Sequence, residues 1–199
     1  VIYLASKIGQ PWEMAAMVSL HGKKQNYIPL VLTNEWTYFL TQGDVSHICK
    51  RLCESGLGGA DIWIGENLSY DNEKILSGHV SEYAEYTAAG LTVMAVHNHY
   101  PKAAVMTGLP DESFIRADIP MTKREIRASV VSRLSPAKDA IVYDIGAGTG
   151  SVSVELAMHA LYGTVYAVER TKEGCELIAQ NARKFGLDNI DIINASAAD

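Results

Sequence analysis

Ala140-Ile-Val-Tyr-Asp-Ile-Gly-Ala-Gly-Thr-Gly-Ser151 decides the fold of the C-terminal half of this chain. An apolar run of strand length ends in an acidic residue, three glycines follow at alternate positions, and a helical pattern begins at Ser151. A strand that turns through glycines into a helix marks the ligand end of a parallel α/β sheet. Glycine at such a turn lets the backbone reverse sharply and admits a ligand close to the main chain.

Outward from this turn the pattern stays regular. Ser151 to Leu161 predicts a helix with Val152, Leu156 and Leu161 inward, and Thr164-Val-Tyr-Ala-Val168 predicts a second strand. Thr171 to Phe185 reads as a helix stopped by Gly186, and Ile190 to Ile193 as a third strand. Upstream, Thr122 with Glu125 three residues later predicts a capping box opening a helix to about Leu134, closed by Ser135-Pro136. The result is the first part of a doubly wound, Rossmann-like sheet.

The glycine spacing separates two cofactor classes. A dinucleotide fingerprint places its third glycine three residues after the second, whereas here Gly146, Gly148 and Gly150 alternate and Ser151 follows. That spacing suits a cofactor with a zwitterionic amino-acid end, S-adenosylmethionine, rather than a pyrophosphate. Asp144 is then placed to orient the ammonium of that end. Glu169, ending the next strand, is placed to accept from both ribose hydroxyls. The bland reading, glycines that merely make a turn, does not account for the two carboxylates. The rival cofactor is a nicotinamide, which Ser151 disfavours.

Before the regular half lies a different pattern. Val18-Ser-Leu20, Tyr27 to Thr33, Ile62-Trp-Ile64 and Leu91 to Val96 read as short strands, and Asp44 as the cap of a helix through Arg51 that stops at Gly56. From His97 to Pro120 the periodicity breaks at Pro101, Gly108, Pro110 and Pro120. The expected organisation is therefore a first domain over 1–96, a linker over 97–120 and a second domain over 121–199. His97-Asn-His99 is read as linker sequence rather than a metal site. Cys49, Cys53 and His47 could share a helix face, but no further ligands follow at zinc-like spacing, and no metal is expected.

Composition excludes several classes. A net charge of −6 leaves no basic footprint for nucleic acid or anionic membrane. No apolar run reaches the roughly 18 residues of a membrane helix, and no signal peptide opens the chain, so a cytoplasmic protein is expected. Val1 opens inside a helix-like run and Asp199 follows a strand-like one, so the chain reads as a piece of a longer protein.

Residues 109–199 resemble the carbon-15 methyltransferase module of corrin biosynthesis. Leu109-Pro-Asp-Glu-Ser-Phe-Ile-Arg116 and Pro120-Met-Thr-Lys-Arg-Glu-Ile-Arg127 carry the specific part, with Asp144 to Val152 and Val165-Tyr-Ala-Val-Glu-Arg170 beside them. Residues 1–96 resemble the second half of a tetrapyrrole methylase acting at carbon 5, through Val18-Ser-Leu-His-Gly22, Val31-Leu-Thr33 and Gly65-Glu-Asn-Leu68 with Glu73. The two modules in this order resemble the precorrin C5,15-methyltransferase (decarboxylating) family. The fold implied is α/β, the C-terminal half of a tetrapyrrole methylase domain followed by the first part of a class I methyltransferase sheet.

The resemblance implies methyl transfer from S-adenosylmethionine to a tetrapyrrole, with loss of one acetate carboxyl, and a homo-oligomer. It assigns cofactor contacts to Thr122, Gly146, Ala147, Gly148, Thr149, Gly150, Glu169 and Ala197. Asn194-Ala-Ser196 departs from the family's usual Gly-Asp pair, which weakens the assignment at Ala197. No general base is nominated. His21 is read as a buried turn residue or as lining a substrate cleft. Lys123, Arg124 and Arg127 are read either as partners of substrate carboxylates or as a solvated helix face, and Glu155 is equally open. A catalytically silent module that binds S-adenosylmethionine or a tetrapyrrole is the alternative from another class, beside a nicotinamide oxidoreductase. The fragment alone is expected to be inactive.

Overall fold

The computed structural model describes residues 1–21, 25–88, 90–102 and 107–196. They form two compact units, Val1–Ala103 and Ala104–Asp199. No described helix is long and apolar enough to cross a membrane.

The first unit is a mixed five-stranded sheet. Its strands are β1 (Ala16–Ser19), β2 (Trp36–Thr41), β3 (Asp61–Glu66), β4 (Lys74–His79) and β5 (Thr92–His97), in the order β1-β2-β5-β3-β4. β1 runs parallel to β2, whereas the β2–β5, β5–β3 and β3–β4 pairs are antiparallel. Alternation along β2 sends Phe39 to one face, against α2 (Ile28–Thr33) and α3 (Val45–Glu54). Tyr38 goes to the other face, where Leu4 and Ala5 of α1 (Ile2–Ile8) pack. Because both faces are covered, Trp36-Thr-Tyr-Phe-Leu-Thr41 shows no polar alternation, and β2 escaped the sequence reading.

One expected strand is a helix. Tyr27 to Thr33 folds as α2, with Pro29 in its first turn and the Asn34 N–H donating to the Leu30 carbonyl. Ile28 and Val31, three apart, are its buried residues, which is helix spacing. A six-residue apolar run does not distinguish helix from strand by period; proline at the helix start and packing on β2 decide it.

The second unit is a three-stranded parallel sheet ordered β6 (Ile141–Ile145), β7 (Thr164–Glu169), β8 (Ile190–Asn194). Helices α5 (Ser151–His159) and α6 (Lys172–Lys184) make the crossovers, and α4 (Arg124–Leu134) packs on α5. This is the strand–helix–strand–helix–strand order expected from the glycine turn. Leu156, Ala157, Val165, Met158 and Leu187 join Val131 and Phe114 in its core.

The segment 107–119 is not a loose linker. Phe114 is buried in that core, and the N–H groups of Gly108 and Leu109 donate to Glu155 at 2.9 and 3.0 Å. Ile115 exchanges two hydrogen bonds with the Asn181 side chain, at 2.8 and 3.1 Å. Gly108 and Pro110 break its periodicity, yet Gly108 and Phe114 are buried, because buried polar side chains satisfy the irregular backbone there. Thr122 likewise does not form a capping box. α4 begins at Arg124 with Lys123 at the cap position and no side-chain cap. The Thr122 carbonyl instead accepts from Arg127 Nη1 at 2.7 Å.

Candidate functional site at the carboxyl ends of β6 and β7

The turn between β6 and α5 is built by its own backbone and by the end of β7. The amides of Gly146 and Ala147 both donate to the Val168 carbonyl, at 2.9 and 3.0 Å, and Gly150 donates to Ala147 at 2.8 Å. Gly148 donates to Glu169 Oε2 at 3.0 Å. Gly148 and Gly150 have φ of +56° and +77°, in the left-handed region. A Cβ on Gly150 would meet Ile178 at 2.9 Å, and one on Gly148 would meet the Pro120 carbonyl at 3.0 Å. Gly146 faces open space within 4 Å of where its Cβ would sit, so this is the edge of the turn a ligand can approach.

Two carboxylates hold the turn, and their surroundings shift them in opposite directions. Asp144 accepts from the Ser153 hydroxyl at 2.6 Å and from the Ser153 amide, so it caps the start of α5. Burial raises its carboxyl above the ordinary range, and the two Ser153 bonds offset this only in part. For Glu169, burial also pushes upward, yet donation from the Thr171 amide (2.9 Å) and hydroxyl (2.8 Å) and from Gly148 overcomes it. Its carboxyl lies below the ordinary range and stays ionised. A carboxylate offers about four acceptor sites, so with three donors in place Glu169 keeps room for one further donor, one ribose hydroxyl rather than the two expected from the sequence.

The structure therefore brings Asp144, Gly146, Ala147, Gly148, Gly150 and Glu169 together. Thr149 is also in the turn, with its hydroxyl buried and without a hydrogen-bond partner among the described residues. Its carbonyl accepts from Asn181 at 2.9 Å. Thr122 lies two residues beyond Pro120, the residue over Gly148. Ala197 lies outside the described residues.

Arg127 and Glu155 correct the sequence reading. Arg127 is fully buried, neither solvated nor free for a substrate carboxylate. Its Nε donates to Glu155 at 2.6 Å and its Nη1 to Asp111 at 3.1 Å; it also donates to the Leu109 carbonyl and stacks on Phe114 at 4.6 Å. Glu155, also fully buried, receives Gly108, Leu109 and Arg127. The pair ties α4, α5 and the segment before α4 into one support for the turn. Lys123 and Arg124 remain on the surface, Lys123 lying 3.9 Å from Asp111.

Several supporting residues were missed. Asn181 stands on the apolar face of α6 beside Leu177 and Ile178, and a lone amide among apolar neighbours was the available signal. Thr171 caps α6 through Gly174 while holding Glu169. Asn194 donates to the Glu169 and Arg170 carbonyls at 2.9 and 3.0 Å, so the residue that departs from the family pattern braces the end of β7. In the first unit, His21 is exposed rather than buried and pairs with Gln42 at 2.9 Å. It borders a cleft of about 270 Å³ that Ser19, Thr41, Leu68, Tyr70 and Leu91 also line.

Comparison with known proteins follows the same boundary. The precorrin methyltransferase domain family matches residues 113–199. A probable cobalt-precorrin-6B C(15)-methyltransferase (decarboxylating) of Sulfolobus acidocaldarius is 48% identical over 92 residues, 45% of this chain and 48% of that protein. The protein of the same description in Methanocaldococcus jannaschii is 40% identical over 92 residues, 46% of this chain and 49% of that one. A crystal structure of precorrin-6Y C5,15-methyltransferase from Geobacter metallireducens shows 33% identity over 49% of this chain and 52% of that one, with a TM-score of 0.46. The chain spans about half the length of the curated relatives it matches. Over residues 113–199 the chain is thus similar to the precorrin methyltransferase domain family.

Proposed function

We propose that the second unit is the cofactor-binding part of an S-adenosylmethionine-dependent methyltransferase that methylates carbon 15 of a corrin precursor and removes an acetate carboxyl, in cobalamin biosynthesis. One observation carries the cofactor reading. The start of α5 is already occupied by the Asp144 carboxylate, and the amides of Gly146, Ala147, Gly148 and Gly150 are all bonded within the protein. A pyrophosphate needs a helix N-terminus whose donors are free and no anion beside it. A cationic, zwitterionic ligand suits this end of the sheet, and Glu169 is charged and placed for a ribose. The family match at 113–199 and the names of the relatives support the carbon-15 reaction.

S-adenosylmethionine, when bound, supplies the methyl group. The chain's own part is alignment: Glu169 and Gly148 fix the turn against β7, and Arg127 with Glu155 fixes the segment over it. In-line transfer needs mainly a near-attack alignment and exclusion of water. Thr122 and Ala197 belong to the same proposed contact set. The first unit is proposed as part of a carbon-5 methylase, with the cleft beside His21 on its tetrapyrrole side. The whole protein is proposed to be cytoplasmic and homo-oligomeric, and the 199-residue piece to lack turnover by itself.

Calorimetric titration of this chain with S-adenosylmethionine, S-adenosylhomocysteine and NADH tests the cofactor reading. Binding of the first two, lost in Glu169→Ala, is the expected result. Binding of NADH in preference to both would replace the methyltransferase reading with the oxidoreductase one.

A further inference from the structure

At one end of the first unit's sheet, imidazoles and carboxylates from three strands and two connecting segments gather. Asp61 opens β3 and is in register with His79, which ends β4, and with His97, which ends β5. Residues in register across a sheet share a face and lie close enough for direct side-chain contact. His99 follows two residues later and returns to the same group. Its Nε2 lies 2.8 Å from Asp61 Oδ2, and His79 Nδ1 lies 3.1 Å from Asp61 Oδ1. Glu35, just before β2, places Oε1 3.3 Å from His97 Nε2.

We propose that Asp61, His97 and His99 form a binding site for a divalent transition-metal ion such as Zn²⁺, independent of the glycine-turn site. Their ligand atoms already lie within 4.8 Å of one another. Ligand atoms about 2.1 Å from a tetrahedral ion sit roughly 3.4 Å apart, so small side-chain rotations close the set. Two imidazoles and one carboxylate suit Zn²⁺, Co²⁺ or Ni²⁺ and leave a position for water. The ligands are held before any ion arrives. The His97 ring stacks on Trp36, with centroids 4.3 Å apart and planes 5° apart, and its side chain is 18% exposed. Glu35 stands beside His97 and His79 beside Asp61, outer partners of the kind that orient metal ligands. His99 is 45% exposed, which leaves the site open to an entering ion.

The spacing that was read as linker sequence is thus strand-end sequence, and the partner that makes it a site is 36 residues earlier in the chain. The competing cysteine set does not share one face: Cys49 is buried, while His47 on the same helix is exposed. A bound ion would staple β3 and β5 to the segment leaving the sheet.

The test is titration of the metal-free, untagged chain with Zn²⁺ against a chromophoric chelator, and with Co²⁺ by visible spectroscopy. One equivalent is expected to bind, with a change in tryptophan fluorescence from Trp36 and no thiolate charge-transfer band. His99→Ala and Asp61→Asn should each weaken binding about tenfold or more, with circular dichroism unchanged, while His47→Ala should bind as the wild type does. Absence of stoichiometric binding, or binding unaltered in both His99→Ala and Asp61→Asn, would overturn the proposal.

Discussion

The two sheets end in charged residues that are used in opposite ways. In the second unit, Glu169 and Asp144 take donors from backbone amides and hydroxyls of Gly148, Thr171 and Ser153. In the first, Asp61 and Glu35 face imidazoles of His79, His97 and His99. A carboxylate bound by main-chain donors cannot leave without unmaking its turn, so it serves as scaffold and fixes a ligand site in advance. A carboxylate paired with a half-exposed imidazole can turn together with it onto an ion at little cost to the fold. The same residue type thus specifies architecture at one sheet end and a replaceable contact at the other.

The largest effect should follow from breaking the scaffold beneath the glycine turn. Glu155→Ala leaves the fully buried Arg127 without its ion partner and two amides without an acceptor. A loss of about 3–5 kcal/mol is expected, read from urea unfolding with amide exchange in α4 and α5. If the loss stays below about 1 kcal/mol, the pair does not support the turn.

Next come the two carboxylates of the turn, whose substitutions should have opposite signs. Glu169→Gln should lower affinity for S-adenosylmethionine about tenfold or more, the range for hydrogen bonds to charged groups. It should also lower stability at neutral pH. The Glu169 carboxyl is depressed in the fold, so its stabilisation is complete above the unfolded value of about 4.3 and fades as pH falls through the lower folded value. Asp144 is raised, so its ionisation costs stability at neutral pH, a cost that vanishes as pH falls through its raised value. Asp144→Asn should therefore be neutral or stabilising at pH 7, and thermal melts of both variants should converge on the wild type in acid. Parallel pH curves for the two would contradict shifts of opposite direction.

A smaller effect is expected at Thr171, whose hydroxyl both caps α6 and donates to Glu169. Thr171→Ala should cost about 1 kcal/mol, with a weaker cofactor signal by calorimetry than Glu169→Gln shows. Smallest of all, Asp61→Asn in metal-free protein should change unfolding free energy by less than about 1 kcal/mol, as exposed pairs do. A large loss there would erase the contrast between the two sheet ends.

Much of the second unit was legible in its residues. The strand, helix and strand around Asp144-Ile-Gly-Ala-Gly-Thr-Gly150 form where the pattern places them, because short apolar runs on either side of a helical period pair as parallel strands and a glycine turn needs positive φ. The positions of Gly148 and Glu169, now 3.0 Å apart through an N–H bond, followed from that pattern. The short elements of the first unit were less legible. Tyr27 to Thr33 has no period that separates helix from strand, and Trp36 to Thr41 is covered on both faces.

What only tertiary structure decided is where polar groups find partners. Arg127 read as a surface or substrate-facing cation until Glu155 and Asp111, distant along the chain, enclosed it. Segment 107–119 read as linker until Glu155, Asn181 and the core around Phe114 took up its backbone and its ring. His97 and His99 read as loop residues until cross-strand register set Asp61 beside them. Local sequence determines secondary structure through propensity and period, which act over a few residues. The pairing of buried charges, and of histidines with carboxylates, depends on which distant strands become neighbours, and that is settled only when the sheet closes.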